Sequence, residues 1–316
     1  MFERQNIKKI VLWLFVIMIC SFGTAVLLMQ TEGARLISNQ KQNKIMNFIS
    51  FLQSAAEANF DEEELKRHGY KDIADERILD VNNAENMYIK AISSGINIKK
   101  HDKESIRVNF HGVSKDTDYF PKLEITQEQG KILIEIKHPA KPFANISLGI
   151  ARKHQLDIYL PPSYDGNLQI HTTSGNTVIS ELSLRQLDFK SVSGNLKASS
   201  VIVKGQTHLE TTSGNVDIEG QLSDTKCKTV SGHFSVLQEY AKGSMEVSTV
   251  SGDVSIKMNK EADFDFAFNT VSGRLNNDFP IYLTSNDRRL IKGHTKSEGG
   301  NISIKTVSGN ASILSK

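Results

Sequence analysis

Hydroxyl, imidazole and carboxylate groups recur in the second half of this 316-residue chain at spacings that invite a catalytic reading. Serine precedes glycine at Ser174-Gly175, Ser193-Gly194, Ser213-Gly214, Ser231-Gly232, Ser251-Gly252, Ser272-Gly273 and Ser308-Gly309. His171 stands three residues before the first of these, where a general base could activate a nucleophile. Asp188, Lys190, His208, Glu210, Lys226, Lys228 and Glu246 occupy the same two offsets, five and three residues before successive serines. They should form one charged strip. Acids in such a strip could act as the paired carboxylates of glycoside hydrolysis, or the strip could bind a polar ligand.

Counting the spacing changes what the serines mean. Five of the six intervals between them are 18 to 21 residues. A fixed period near 20 marks a chain whose units cannot bury their own apolar faces and must stack on their neighbours. A serine repeated seven times in that phase is a turn residue, and no third group accompanies His171 to complete a nucleophilic site. The charged strip has an equally structural explanation. Opposite charges on neighbouring rungs form exposed pairs worth about 0.2 to 1 kcal/mol each and keep a flat face soluble.

Each repeat column reads as one environment. Four residues before the serine stand Ile170, Phe189, Leu209, Cys227, Val247, Phe268 and Ile304. Three after it stand Thr177, Leu196, Val216, Phe234, Val254, Leu275 and Ala311, and five after it Ile179, Ala198, Ile218, Val236, Ile256, Asn277 and Ile313. Inward positions are therefore even before the corner and odd after it. Strand side chains alternate with period 2, so the change of parity places a sharp bend at Ser-Gly. Glycine there supplies either positive φ or a close backbone approach. The column two residues before the serine, Thr172, Ser191, Thr211, Thr229, Thr249, Thr270 and Thr306, is always a hydroxyl and should satisfy backbone groups opened by the bend.

Short, β-branched, alternating segments exclude helices of this period. Leucine-rich spacing and the glycine- and aspartate-rich nonapeptide of calcium-binding solenoids are both missing. The expected fold is all-β, a single-stacked parallel β-solenoid with coils of about 20 residues. The same alternation without Ser-Gly marks Ile106 to Phe110, Leu123 to Ile125, Ile132 to Ile136, Ile146 to Ile150 and Leu156 to Leu160, so the solenoid is expected over 78–316. The long interval between Ser272 and Ser308 predicts one coil with a protruding loop from Thr284 to Lys296.

Ile10 to Met29 carries no charge and has the length of a bilayer-spanning helix. Arg4, Lys8 and Lys9 precede it and favour a cytoplasmic N-terminus, with the solenoid outside the cytoplasm of the cell membrane. Cleavage as a signal peptide is the alternative, but the run is long and no small-x-small site follows. A lipoprotein reading through Cys20 lacks the small residue that Ile19 replaces. The expected order is a cytoplasmic segment 1–9, a transmembrane helix 10–29, a helical juxtamembrane linker 30–77 and the solenoid. In the linker, Ile45, Phe48, Ile49 and Leu52 share a helical face that could meet the membrane surface, a partner helix or the solenoid's open first coil. Asp61 and Glu64 open a short helix that Gly69 could end.

A formal charge of +2 without a basic patch excludes nucleic acid as a partner. The nine histidines lack metal-ligand spacing, and Gly299-Gly300 is no phosphate loop. No metal, no cofactor and no enzyme activity are expected. Cys20 and Cys227 fall in the membrane segment and a core column, so no disulfide is expected.

The repeated Thr-Val-Ser-Gly at Thr229, Thr249, Thr270 and Thr306 resembles the candidate-adhesin family of bacterial β-solenoids, a domain of unknown function, over about Ile78 to Lys316. With its single anchor the chain resembles LiaG-type membrane-anchored envelope proteins, encoded beside envelope stress systems in Gram-positive bacteria. The resemblance implies a binding or scaffolding role in the cell envelope, with an envelope protein or cell-wall polymer as partner, and no catalytic residues. Two other readings stay open: a polysaccharide-acting enzyme using the Asp188 to Glu246 strip, and a homo-oligomer formed through the terminal coil.

Overall fold

The computed structural model describes residues 62–67, 69–81, 84–114, 120–138, 153–287, 289–296 and 299–316. The expected cytoplasmic segment, the transmembrane helix, the linker up to residue 61 and the alternation from Ile146 to Ile150 lie outside the described residues. Among the described residues no helix is long and apolar enough to cross a membrane. All of them belong to one compact unit, Phe60–Lys141 with Ala151–Lys316.

The short helix is Glu62–Arg67, with three glutamates in its first turn and Lys66 and Arg67 in its last, the order that complements the helix dipole. Gly69 ends it at φ 84. Its N–H bonds to Lys66 O at 3.0 Å and that of Tyr70 to Leu65 O at 3.1 Å, a Schellman cap with Leu65 and Tyr70 both buried. The next element is already a strand, Lys71–Asp80, so the β-structure begins seven residues before the expected boundary at 78. Lys71, Asp72, Asp75, Glu76, Arg77 and Asp80 are why the alternation was weak there. Such charge suits a sheet edge, and this strand is the edge, paired only with Ser105–Ser114 in antiparallel fashion.

The described residues form two twelve-stranded sheets. One gathers the strands that enter the corners: in spatial order Asn86–Lys90, Asn167–Thr172, Gln186–Ser191, Thr207–Thr211, Thr225–Thr229, Ser244–Thr249, Gly300–Thr306 and Phe264–Thr270. The other gathers the strands that leave them: Gly95–Lys100, Thr177–Ser180, Leu196–Val203, Val216–Leu222, Phe234–Leu237, Val254–Met258, Ala311–Ser315 and Leu275–Asn277. Within both runs neighbours are parallel, giving eight stacked coils. The expected core columns face each other between the sheets. Ile170, Phe189, Leu209, Cys227, Val247, Phe268 and Ile304 are all buried, each apolar side chain of this size contributing roughly 1.5–3 kcal/mol. Burial pushes the Cys227 thiol up to about 12, so it stays protonated and serves as a small apolar filler.

Seven corners share one hydrogen bond. The glycine N–H donates to the hydroxyl three residues earlier, from Gly175 to Thr172 at 3.0 Å through Gly309 to Thr306 at 2.7 Å. Positive φ is not the reason for glycine: only Gly69, Gly112, Gly130 and Gly243 adopt it among the described glycines. Close approach is. A Cβ on Gly194 would strike the Gly175 carbonyl, one on Gly214 that of Gly194, one on Gly232 that of Gly214, and one on Gly252 that of Gly232. The corner serines point outward and bond back to the preceding coil, as Ser174 does through its N–H to Ile92 O at 2.8 Å.

An eighth corner was not anticipated. Ile96 pairs with Thr177, and a Cβ on Gly175 would strike the Ser94 carbonyl, so Ser93-Ser94 holds the place of Ser174-Gly175. The Ser94-Gly95 dipeptide is out of phase by one residue. Between this first coil and the next in sequence the chain builds an antiparallel cap on the first coil's outer side, Ser105–Ser114 with Lys153–Leu160 on one sheet and the hairpin Lys122–Glu128 and Lys131–Lys137 on the other.

The coils are not stacked in chain order at the other end. Gly300–Thr306 pairs with Ser244–Thr249 on one side and Phe264–Thr270 on the other, and Ala311–Ser315 lies between Val254–Met258 and Leu275–Asn277. A side-chain ladder follows the same order: Asp253 Oδ1 accepts from Asn310 N at 2.8 Å, and Asn310 Oδ1 from Arg274 N at 3.1 Å. The last coil in sequence is therefore internal, and the coil that holds Leu275–Asn277 takes the end of the corner-leaving sheet. The expected loop from Thr284 is also corrected. Tyr282–Asn286 and Leu290–His294 form an antiparallel hairpin that extends the corner-entering sheet beyond Phe264–Thr270.

Candidate binding surface

The corner-entering sheet brings all seven residues of the charged strip onto one outward face. Asp188, His208, Lys226 and Glu246 are register partners on consecutive rungs, as are Lys190, Glu210 and Lys228 in the parallel column. Their side chains face one another. His171 Nε2 lies 3.8 Å from Asp188, His208 Nε2 3.8 Å from Glu210 and Lys226 Nζ 3.8 Å from Glu246. Lys305 Nζ donates to Glu246 Oε1 at 3.1 Å. That hydrogen bond and the Lys305 charge, with smaller contributions from Lys226 and Lys228, hold the Glu246 carboxyl below the usual carboxylate range. Lys305 was missed because its coil, twice the usual interval after Ser272, was placed beyond that of Phe268 instead of beside that of Glu246.

The geometry faces each carboxylate with a lysine or a histidine, not with a second carboxylate. Asp188 and Glu246 stand three rungs apart, about 14 Å at ~4.8 Å per rung, outside the separations of about 5 to 9.5 Å that glycoside hydrolysis uses. Asp188 and Glu210 are on neighbouring rungs, each faced by its own histidine. Ser174 Oγ turns to Ile92 O at 3.4 Å while His171 turns to Asp188, so the two do not form a nucleophile and base. Among the described residues no group of three or more His, Cys, Asp or Glu gathers as metal ligands.

Beside this face runs a second regular surface that the sequence reading passed over. The residue before each corner serine is Ile92, Thr173, Val192, Thr212, Val230, Val250, Val307 and Val271 in spatial order, every one β-branched. Ile92 and the five valines are about half exposed. The signal was available: an odd offset before the corner faces outward by the parity that placed the core. Their branching suits an extended backbone, and their alignment makes an aliphatic ridge over eight rungs, roughly 34 Å long at ~4.8 Å per rung.

The model of the Toastrack DUF4097 family matches residues 84–314, the span of the stacked coils and their caps, and the chain belongs to that family. Among curated proteins none matches in sequence. Similar solved structures include a candidate cell adhesion protein from Clostridium sporogenes, 13% identical, covering 78% of this chain and 100% of that one with a TM-score of 0.41. A candidate adhesin from Parabacteroides distasonis is 11% identical, covers 78% and 97%, and scores 0.39. A candidate lipid binding protein from the same organism is 14% identical, covers 77% and 96%, and scores 0.39.

Proposed function

We propose that this Toastrack DUF4097 protein is a binding or scaffolding module of a bacterial cell envelope, held to the membrane by Ile10 to Met29 with the solenoid outside the cytoplasm and tied to envelope stress. One observation carries the reading. Eight coils stack in register, and on the four that carry charged outward columns each carboxylate faces a lysine or a histidine, which suits a rigid scaffold better than a reaction centre. The uncharged run at 10–29 and the lysines before it support the anchor.

The test is co-sedimentation of the full-length chain in detergent micelles with isolated cell-wall material, paired with in-cell crosslinking and capture of membrane proteins. Saturable retention on the wall, or one specific crosslinked envelope partner, is the expected result. Retention on neither would end the proposal, and turnover of wall glycan lost on Asp188→Ala with Glu210→Ala would replace it with the enzymatic reading.

A further inference from the structure

The coils have a third side, where the corner-leaving strands run on toward the next coil, and it is not regular. Ser183–Leu184, Val201–Val203 and Gly220–Leu222 form a parallel ladder of three rungs. To enter it the strand Leu196–Val203 bulges between Ser199 and Val201, and Ser200 adopts φ 54, a left-handed conformation that is unfavourable for a residue with a Cβ. Gly220 is required there, since a Cβ would strike the Val201 carbonyl. The ladder then stops. In the next coil Phe234–Leu237 ends without a third-side strand, and the chain crosses to Ser244 as a loop. Gln221 Nε2 donates to Tyr240 O at 3.0 Å and pins that loop to the last rung.

A groove of about 590 Å³ is left where the ladder stops, within the usual range for a small-molecule site. Its apolar floor includes Ile202, Leu237 and Tyr240, and Ile202 and Tyr240 are 49% and 45% exposed. Glu219, Glu239, Lys242 and Lys316 are also in its lining, so carboxylates and ammonium groups stand together there.

We propose that this groove binds a neutral saccharide. A sugar ring has an apolar C–H face that suits Tyr240 and Ile202, and a rim of hydroxyls that can donate to Glu219 and Glu239 and accept from Lys242 and Lys316. Carboxylates beside the ammonium groups give a polyanion no electrostatic advantage, and charged groups of both signs make a poor bed for an apolar peptide. The proposal rests on the reading of the chain as an envelope binder and names the ligand class and the site.

The experiment titrates the full-length chain with tri-N-acetylglucosamine by calorimetry, with polyphosphate as the anionic comparison, beside the wall sedimentation above. Tyr240→Ala should weaken saccharide binding at least about tenfold and Tyr240→Phe by no more than about threefold. Tyr282→Ala, an exposed tyrosine on the hairpin away from the groove, should leave it unchanged. Circular dichroism confirms that each variant folds. No saccharide binding, equal binding by Tyr240→Ala, or tighter binding of polyphosphate would overturn the groove assignment. If the wall still retains the chain in any of those cases, the envelope reading survives; loss of both ends the two together.

Discussion

The charged face and the third side belong to the same coils and are built by opposite rules. On the face, each carboxylate has a cation or histidine on its own or a neighbouring rung, and the register runs unbroken from Asp188 to Glu246. On the third side the ladder lasts three rungs, admits a left-handed Ser200 and leaves Tyr240 and Ile202 half exposed. Register sets the carboxylates of the face beside lysines and histidines along a flat surface. Where the repeat fails, apolar and polar groups line a recess instead of a flat face. In a stacked protein the departures from the repeat are therefore the places to look for a ligand.

The sharpest test of regularity is all or none and concerns the coil that is out of order. In a background lacking Cys20 and Cys227, Ser255→Cys with Ser312→Cys should form a disulfide under mild oxidation, because these residues are direct register partners. Ser255→Cys with Asn276→Cys should not, since the 311–315 strand lies between them. Non-reducing electrophoresis reads both, and the reverse result would restore stacking in chain order.

Next in size is the glycine column. Gly232→Ala places a Cβ against the Gly214 carbonyl, and should cost more than about 3 kcal/mol of stability in chemical denaturation. Thr229→Val keeps the shape but removes the acceptor of the Gly232 N–H. About 1–3 kcal/mol is expected for the orphaned buried donor. The smallest effect lies on the charged face. Lys305 holds the folded-state Glu246 carboxyl below its unfolded value, so its contribution is present above the unfolded carboxylate range and is lost as pH falls through the folded one. The side chain is 37% exposed, so solvent screening limits this to about 0.5 kcal/mol or less. Urea stability of Glu246→Gln against the natural chain should differ slightly at neutral pH and converge in acid.

The coil columns were legible in the sequence because each offset from Ser-Gly is one repeated environment. Cys227 and the hydroxyl column could be placed from that alone. The order of the last two coils was not, because Thr270-Val271-Ser272-Gly273 and Thr306-Val307-Ser308-Gly309 are locally interchangeable. A clue lay in Asn277, a polar residue in a core column. Its amide bonds to Phe279 O at 2.6 Å, a role available only in the end coil, whose Leu275 is also half-buried. Ser93-Ser94 was hidden by the loss of glycine from its own position and by the antiparallel cap inserted after it. The groove escaped because the third-side columns last only three rungs, such as Ser183, Ile202 and Gln221, and Tyr240 comes from the loop that follows them, so only packing brings it there.

One side-by-side measurement tests the central contrast most directly: wall retention of the full-length chain carrying either Tyr240→Ala in the groove or Lys190→Ala with Lys228→Ala on the charged face. The account predicts that the groove variant loses retention while the face variant keeps it. Loss by the face variant with the groove variant unaffected would contradict it and move the binding site onto the regular ladder.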